Sequence, residues 1–446
     1  MKENLLKILE SIIRKLAQLT LWRYRPGIIG VTGSVGKTST KMAIAEILKY
    51  DRDLRFSKGN FNNEIGLPLT ILGGWGEIRG TFFWLKVIFS SLLNAFAPLS
   101  WIKKKYPELL VLEYAADRPG DIRRLLTIAR PNISIITAIG EIPVHIEFYA
   151  GSEEVAREKG RLIEYLPSAG FAVLNYDDET VMALKDRTRA NVITFGFARG
   201  ADMRIANFET KSAGFKPLGI SFKLEYGGSV VPIRIDKVFG RAQAYASAAA
   251  ACVGVIFGLN LVKISEALKN YVPATGRMRL VAGQNSTYIL DDSYNASPMS
   301  VHAALDTLRD LPAKRKIAVL GDMTEIGPYT IQAHEEIGKI ASDVVDVLIT
   351  VGIAAKLIAD SAIKEGFKKK NVYQFNDAGD AIKPIEEMIK KGDLILVKGS
   401  HIMRMEEIVE EIQLLEEFIL PNFAKQNLGG FTPEEIKEEN SDTTNG

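Results

Sequence analysis

Residues 28–40 read Ile28-Ile-Gly-Val-Thr-Gly-Ser-Val-Gly-Lys-Thr-Ser-Thr40: an apolar run, a glycine-rich turn, and Lys-Thr opening a helical pattern. The apolar run predicts a buried strand, and the glycines after it let backbone N–H groups turn toward a phosphate chain. Lys37 adds positive charge, the Thr38 hydroxyl suits Mg²⁺, and the helix N-terminus favours an anion. The common P-loop has a glycine five positions before Gly36, where this chain carries Val31; its glycines are Gly30, Gly33 and Gly36. The loop is therefore a variant, with Gly33, Ser34, Val35, Gly36, Lys37, Thr38 and Ser39 as its phosphate-binding stretch. The bland alternative is an ordinary glycine turn between strand and helix. Gly-Lys-Thr directly after a buried-looking strand argues against it, and the chain is expected to bind a nucleoside triphosphate.

The 446 residues correspond to about three ordinary domains. With 47% hydrophobic and 25% charged residues the composition is globular. Basic and acidic residues number 56 and 54, a net charge of +2, so no global electrostatic attraction draws the chain to nucleic acid. Cys252 is the only cysteine, which excludes internal disulfides and cysteine-cluster metal sites and fits a reducing cytoplasm.

Two segments carry surplus hydrophobicity. Residues 4–22 place Leu5, Leu6, Leu9, Ile12, Ile13, Leu16 and Leu19 at helical spacing among Lys7, Glu10, Arg14 and Lys15, which predicts an amphipathic helix within residues 1–24. Residues 82–102 are nearly long enough to span a bilayer, and Lys103-Lys-Lys105 follows them. Lys86, Asn94 and Pro98 interrupt the run, and a full span would divide a nucleotide-binding domain between two sides of a membrane. The reading is a helical insertion, residues 73–107, that packs with the N-terminal helix on the protein or dips with it into the membrane interface. The expected location is the cytoplasm, with the inner membrane face the place of any peripheral contact, and the expected state is a monomer.

From residue 28 to about 200, strand-like runs (Ile28–Thr32, Leu109–Glu113, Ile133–Ala138, Phe171–Asn175, Val192–Phe195) alternate with helical patterns (Lys37–Lys49, Gly120–Ala129, Glu153–Leu166). This alternation predicts an α/β domain, a parallel sheet with helices on both faces. Gly219–Tyr226 and Val230–Ile235, joined across Gly227-Gly228, predict an antiparallel hairpin at its edge. Helices follow over about 241–257 and 262–270. Pro273–Arg277 marks a boundary between a central domain, residues 25–272, and a Rossmann-like α/β domain, residues 273–425. The latter's predicted strands are Tyr288–Leu290, Ile317–Leu320, Val347–Val351, Val372–Phe375 and Leu394–Val397. The polar stretch 426–446 is expected to be disordered.

Chemistry-bearing residues fall at predicted strand ends. Glu113 closes a strand beside the phosphate loop, well placed for a phosphate-bound Mg²⁺. By itself His145 reads more readily as a packed or surface histidine, and the sequence alone gives Lys159 no role. Asp291-Asp-Ser-Tyr-Asn295-Ala-Ser-Pro298 joins acidic residues to a helix start and suits ribose and base contacts, with a plain capping turn as the alternative. Gly321–Gly327 and Lys398-Gly-Ser400, with Arg404 beyond, also follow strands; the basic and hydroxyl groups suit a carboxylate.

In order along the chain, Gly30–Thr38, Gly59-Asn-Phe-Asn-Asn-Glu-Ile-Gly-Leu-Pro-Leu-Thr70, Glu113 with Arg118–Ile122, His145, Lys159, Gly276-Arg277, Asp291–Pro298, Gly321–Gly327 with His334, and Lys398–Met405 resemble the Mur ligase family. The similarity spans roughly residues 25–72 and 108–418, closest to the branch that adds D-alanyl-D-alanine to muramyl peptides. It implies a ligase of peptidoglycan and cell-wall biogenesis, in which ATP converts a carboxylate into an acyl phosphate and an amine attacks it. By resemblance, Lys37 and the loop amides hold the ATP phosphates. Thr38 and Glu113 hold one Mg²⁺; His145 and a carbamylated Lys159 support a second. Asn295 contacts adenine, Asp291 the ribose side and Arg277 the phosphate region; Asn62, Asn63, Lys398, Ser400 and Arg404 face substrate. The implied partners are a small-molecule or lipid-linked peptidoglycan precursor and an amino acid or dipeptide.

Three departures stand out. The phosphate loop begins near residue 30, so the reading does not include the family's N-terminal sugar-nucleotide domain. Ala242 and Ala246 occupy positions where the family usually has His and Asn, and His401 stands where arginine is more common. Two alternatives are a folylpolyglutamate-synthase-like ligase with another acceptor, and a non-catalytic nucleotide-dependent switch at the membrane.

Overall fold

The computed structural model describes residues 2–57, 59, 61–75, 80–96 and 106–414; the expected disordered tail and Lys103–Lys105 lie outside them. The chain opens with α1 (Lys2–Tyr24), then β1 (Gly27–Thr32) and α2 (Lys37–Leu48). It continues through β2 (Leu54–Phe56), α3 (Gly66–Leu72), α4 (Gly80–Phe96), β3 (Leu109–Glu113), α5 (Asp121–Ile128), β4 (Ile133–Ile136) and α6 (Ser152–Glu164). Next come β5 (Phe171–Asn175), α7 (Glu179–Met182), β6 (Asn191–Gly196), β7 (Met203–Ala213), β8 (Lys216–Tyr226), β9 (Ser229–Asp236), α8 (Arg241–Ile256) and α9 (Leu261–Leu268).

These strands form one sheet in the order β2-β3-β1-β4-β5-β6-β7-β8-β9, parallel as far as β7 and antiparallel across β7–β8 and β8–β9. The apolar runs are buried on both faces, as parallel strands under helices must be. Ile29 and Val31 of β1 face the cluster built by α2, the alanine-rich α8 and α9, whereas Ile28 faces the cluster of α1, α3 and α5. The edge hairpin crosses Gly227-Gly228, both at positive φ as such a turn requires. In this sheet the sequence reading missed β2 and β7, and in the second it missed the strand Arg279–Gly283. β2 has only three residues, and the alternating apolar pattern of β7 is broken after Ile205 by a bulge in which Asn207 takes φ 51°.

The second sheet is ordered β10-β11-β15-β12-β13-β14. Its strands are β10 (Arg279–Gly283), β11 (Thr287–Asp292), β12 (Arg315–Gly321), β13 (Val347–Val351), β14 (Val372–Phe375) and β15 (Asp393–Lys398). All pairings are parallel except β10–β11. Helices α10 (Pro298–Asp310), α11 (Thr330–Val344), α12 (Lys356–Lys364), α13 (Ala378–Met388) and α14 (Glu406–Ile412) connect and cover them.

The two hydrophobic segments pack on each other. α1 buries Ile13, Leu16 and Ala17, and α4 turns Val87, Ser91 and Ala95 inward. At their C-terminal ends Arg23 Nη1 donates to the Ala95 carbonyl, and the Tyr24 hydroxyl donates to the Asn94 carbonyl at 2.8 Å. Among the described residues no helix is long and apolar enough to cross a membrane.

Candidate active site

The phosphate loop leaves the C-terminal end of β1, between β3 and β4. Gly33 has φ 144°, and a Cβ there would lie 2.1 Å from Thr137 Oγ1, so this position accepts only glycine. Thr137, just past β4, braces the loop by donating to the Val35 carbonyl at 2.6 Å, and Ser34 N–H donates to the Ala138 carbonyl at 2.6 Å. Gly36, at φ 90°, opens α2 with no side-chain cap, leaving the first-turn N–H groups of the helix to an anion. Lys37 Nζ donates to the Gly33 carbonyl at 2.8 Å. Burial holds its ammonium below the ordinary lysine value, against the attraction of Glu113.

Glu113, at the end of β3, is 2% exposed. Thr38 Oγ1 lies 3.2 Å from its Oε2, and Asn62 Nδ2 donates to Oε1 at 3.4 Å. A hydroxyl and a carboxylate side by side are hard oxygen donors suited to Mg²⁺, which phosphates and water would complete. Lys41, one helical turn past Lys37, forms a buried ion pair with Glu113 at 3.1 Å. It also donates to Ser57 Oγ at 3.0 Å and the Gly59 carbonyl at 3.1 Å. Burial would raise the Glu113 carboxyl, but Lys41, Lys37 and Arg277 outweigh it and hold the group below the usual carboxylate range. The sequence reading did not single out Lys41. Its signal was a lysine on the face of α2 that packs inward, a position needing an anion.

His145 has φ 69° and joins the two sheets' domains. Its Nε2 lies 3.2 Å from Asp117 Oδ1 and its Nδ1 2.8 Å from Glu325 Oε2. Its ring nitrogens therefore face carboxylates, and among the described residues no group of three or more His, Cys, Asp and Glu side chains gathers as a metal cage. Lys159, on α6, is 1% exposed. Burial first, and the Lys37 charge second, lower its pKa to about 7, against the pull of Asp117, Glu158 and Asp121.

From the second sheet, the Arg277 guanidinium lies 4.2 Å from the centre of the Tyr294 ring, which stacks on His401 at 5.0 Å. Asp291 is spent internally: it accepts from Gly276 N–H at 2.9 Å and Ser293 Oγ at 2.6 Å. Its neighbour Asp292 reaches the cleft, paired with Lys398 at 2.6 Å, and Lys398 also donates to the Asn295 carbonyl at 2.8 Å. Burial pushes the Asp292 carboxyl up and the Lys398 ammonium down. The loop before α10 is also a capping turn, for Ser297 and Ser300 form a capping box.

The expected substrate residues divide. Ser400, 1% exposed, accepts from Thr324 N–H at 2.9 Å and fastens the loop after β12. Asn63 Oδ1 accepts from Gly66 N–H at 2.9 Å and starts α3. His334 is likewise internal, its Nε2 accepting from Met323 N–H at 3.0 Å. Arg404 is exposed and paired with Glu407.

A cleft of about 920 Å³ separates the two sheets' domains, lined by Ser34, Gly36 and Ser39 on one side and Arg277, Asn295 and Lys398 on the other. Ala242 and Ala246 lie on its wall, as does Phe239.

Comparison with known proteins agrees with this arrangement. The Mur ligase middle domain matches residues 31–74 and 95–254, and the Mur ligase, glutamate ligase domain matches 276–401, together about three quarters of the chain. The UDP-N-acetylmuramoyl-tripeptide–D-alanyl-D-alanine ligase of Bacillus subtilis (strain 168) is 29% identical over 406 residues, covering 90% of this chain and 79% of the relative. Among solved structures, the MurF ligase from Thermotoga maritima in complex with ADP superposes with a TM-score of 0.72 at 27% identity, over 90% of this chain and 83% of that one. MurF from Acinetobacter baumannii gives a TM-score of 0.73 at 21% identity, over 89% and 79%, and speaks for the fold.

Proposed function

The chain belongs to the Mur ligase family, and from that premise we propose that it is an ATP-dependent, ADP-forming ligase joining D-alanyl-D-alanine to a muramyl-peptide carboxylate. One observation carries the reading: Ser34, Gly36 and Ser39 of the phosphate loop and the Arg277–Asn295–Lys398 wall face each other across one cleft. A nucleotide lying there touches both domains, so its binding favours their closure over the reacting groups.

The loop amides and Lys37 bind the triphosphate, and Arg277 adds positive charge where the γ-phosphoryl group is transferred. A substrate carboxylate oxygen attacks the γ-phosphorus and ADP leaves; the amine nitrogen then attacks the acyl carbon, phosphate leaves, and the amine loses a proton. Thr38 and Glu113 would hold Mg²⁺, which supplies charge neutralisation between phosphate and carboxylate. Asn295 orients the base. Closure excludes water from the acyl phosphate and lines up the amine.

Lys159 belongs to this reading as a carbamate. Its amine, with a pKa of about 7, has a substantial unprotonated fraction at neutral pH, where an ordinary lysine has almost none. It attacks CO₂, loses a proton and becomes an anion, converting a buried cation beside Lys37 into a group able to support a second Mg²⁺ with His145. His145 would then exchange its carboxylate contacts for the metal. The lone buried Cys252 and the nucleotide substrate fit a cytoplasmic enzyme.

The test is ADP release by the full chain with ATP, Mg²⁺, UDP-muramyl tripeptide and D-alanyl-D-alanine, omitting each in turn and weighing the product by mass spectrometry. Release that requires both acceptor and amine, with formation of the amide, is expected. Release indifferent to the amine overturns the reading.

A further inference from the structure

α4 presents a broad apolar stripe outward, with Lys86, Ser90 and Asn94 along one edge of it. While Val87, Ser91 and Ala95 point inward, the outward stripe is Phe82, Leu85, Phe89, Leu92, Leu93 and Phe96, spaced three and four residues apart. Phe82 is 81% exposed, Phe89 65% and Phe96 70%. A helix on the surface of a globular domain normally turns charge to this side, and a contiguous apolar patch of this kind marks a contact surface.

Charge identifies the occupant. Between Ile78 and Pro107 the sequence has Arg79, Lys86 and Lys103–Lys105 and not one Asp or Glu. Lys86 is exposed beside the stripe, with its ammonium 5.8 Å from the centre of the Trp75 ring. Next to α4, α1 exposes Ile8, Ile12 and Trp22 together with Lys7, Arg14 and Lys15. Protein interfaces are depleted in lysine, whereas a lysine-fringed aromatic and aliphatic face matches acyl chains beneath anionic headgroups. Neither helix spans a bilayer, so both would lie along its surface.

We propose that the outward face of α4, with the basic α1 beside it, docks this protein peripherally on a bilayer bearing anionic headgroups. The surface is separate from the nucleotide cleft, and the docking stands independently of the ligase reading.

Vesicle flotation of the full chain tests it, with phosphatidylcholine alone and with about one third phosphatidylglycerol. Expected is binding to the anionic vesicles that weakens with salt and drops at least about tenfold in the Leu85→Ser, Phe89→Ser, Leu92→Ser triple variant. These positions are exposed, so thermal unfolding and acceptor-dependent ADP release should match the parent, which separates a docking defect from a ligase defect. Failure of the parent to float with either vesicle, or flotation that the triple variant retains, overturns the proposal. So does a lipid-free dimer, seen by light scattering, that the variant splits, for then a second copy covers the face.

Discussion

Lys41 Nζ lies 3.1 Å from Glu113 Oε2, both side chains shut off from solvent, and this pair joins the helix after the phosphate loop to the carboxylate expected to hold Mg²⁺. Ser57 and Gly59 accept the other bonds of the same ammonium, and Asn62 donates to the same carboxylate. The β2–α3 loop, the phosphate loop and the end of β3 are thus fixed around one buried charge pair.

Lys41→Met strands Glu113 in the interior. Stability should fall by about 3–5 kcal/mol at about pH 7, read by urea unfolding. Because the folded-state carboxyl is held below its unfolded value, its contribution is present above the usual carboxylate range and fades as pH falls. The gap between variant and parent should therefore narrow toward about pH 4.5, and adding Glu113→Gln should recover part of the loss. An equal gap at both pH values would assign the loss to packing instead.

Lys159→Met should abolish turnover yet stabilise the fold. With a folded pKa of about 7 against an ordinary 10.5, the folded state binds fewer protons across that window. Stability then rises with pH, and the full cost of burying the amine is felt below the window. In CO₂-free buffer the variant should gain roughly 3–5 kcal/mol near pH 6 and about half that near pH 9. Parent turnover should need bicarbonate and weaken below about pH 7, where the protonated amine cannot form the carbamate. Activity indifferent to bicarbonate removal counts against the carbamate.

Lys398 and Arg404 separate a structural cation from one available to substrate. Lys398→Met leaves Asp292 buried without its partner and should cost about 3–5 kcal/mol in thermal unfolding, less in acid as that carboxyl protonates. Arg404→Ala, with an exposed side chain, should keep stability within about 0.5 kcal/mol while raising KM for the incoming amine roughly tenfold. An unchanged KM removes Arg404 from the substrate site.

The phosphate loop, the strand-end position of Glu113 and the alternating elements of both domains were readable because each is a local pattern: a glycine spacing, an apolar run, a period of 3.6. Which acidic residue at the end of β11 meets the cleft was not readable, because Asp291 and Asp292 are chemically alike and point to opposite sides of the strand. The structure spends Asp291 on Gly276 and Ser293 and offers Asp292 to Lys398. Ser400 and Asn63 proved to fasten loops, and His145 meets Glu325 across 180 positions of chain. By itself the sequence determined the nucleotide chemistry and the order of the elements, since backbone geometry and hydrophobic period act over a few residues. Only the tertiary structure decided how Lys41, Lys159, Asp292 and the bare face of α4 are used, because burial and charge pairing depend on neighbours that distant segments bring together.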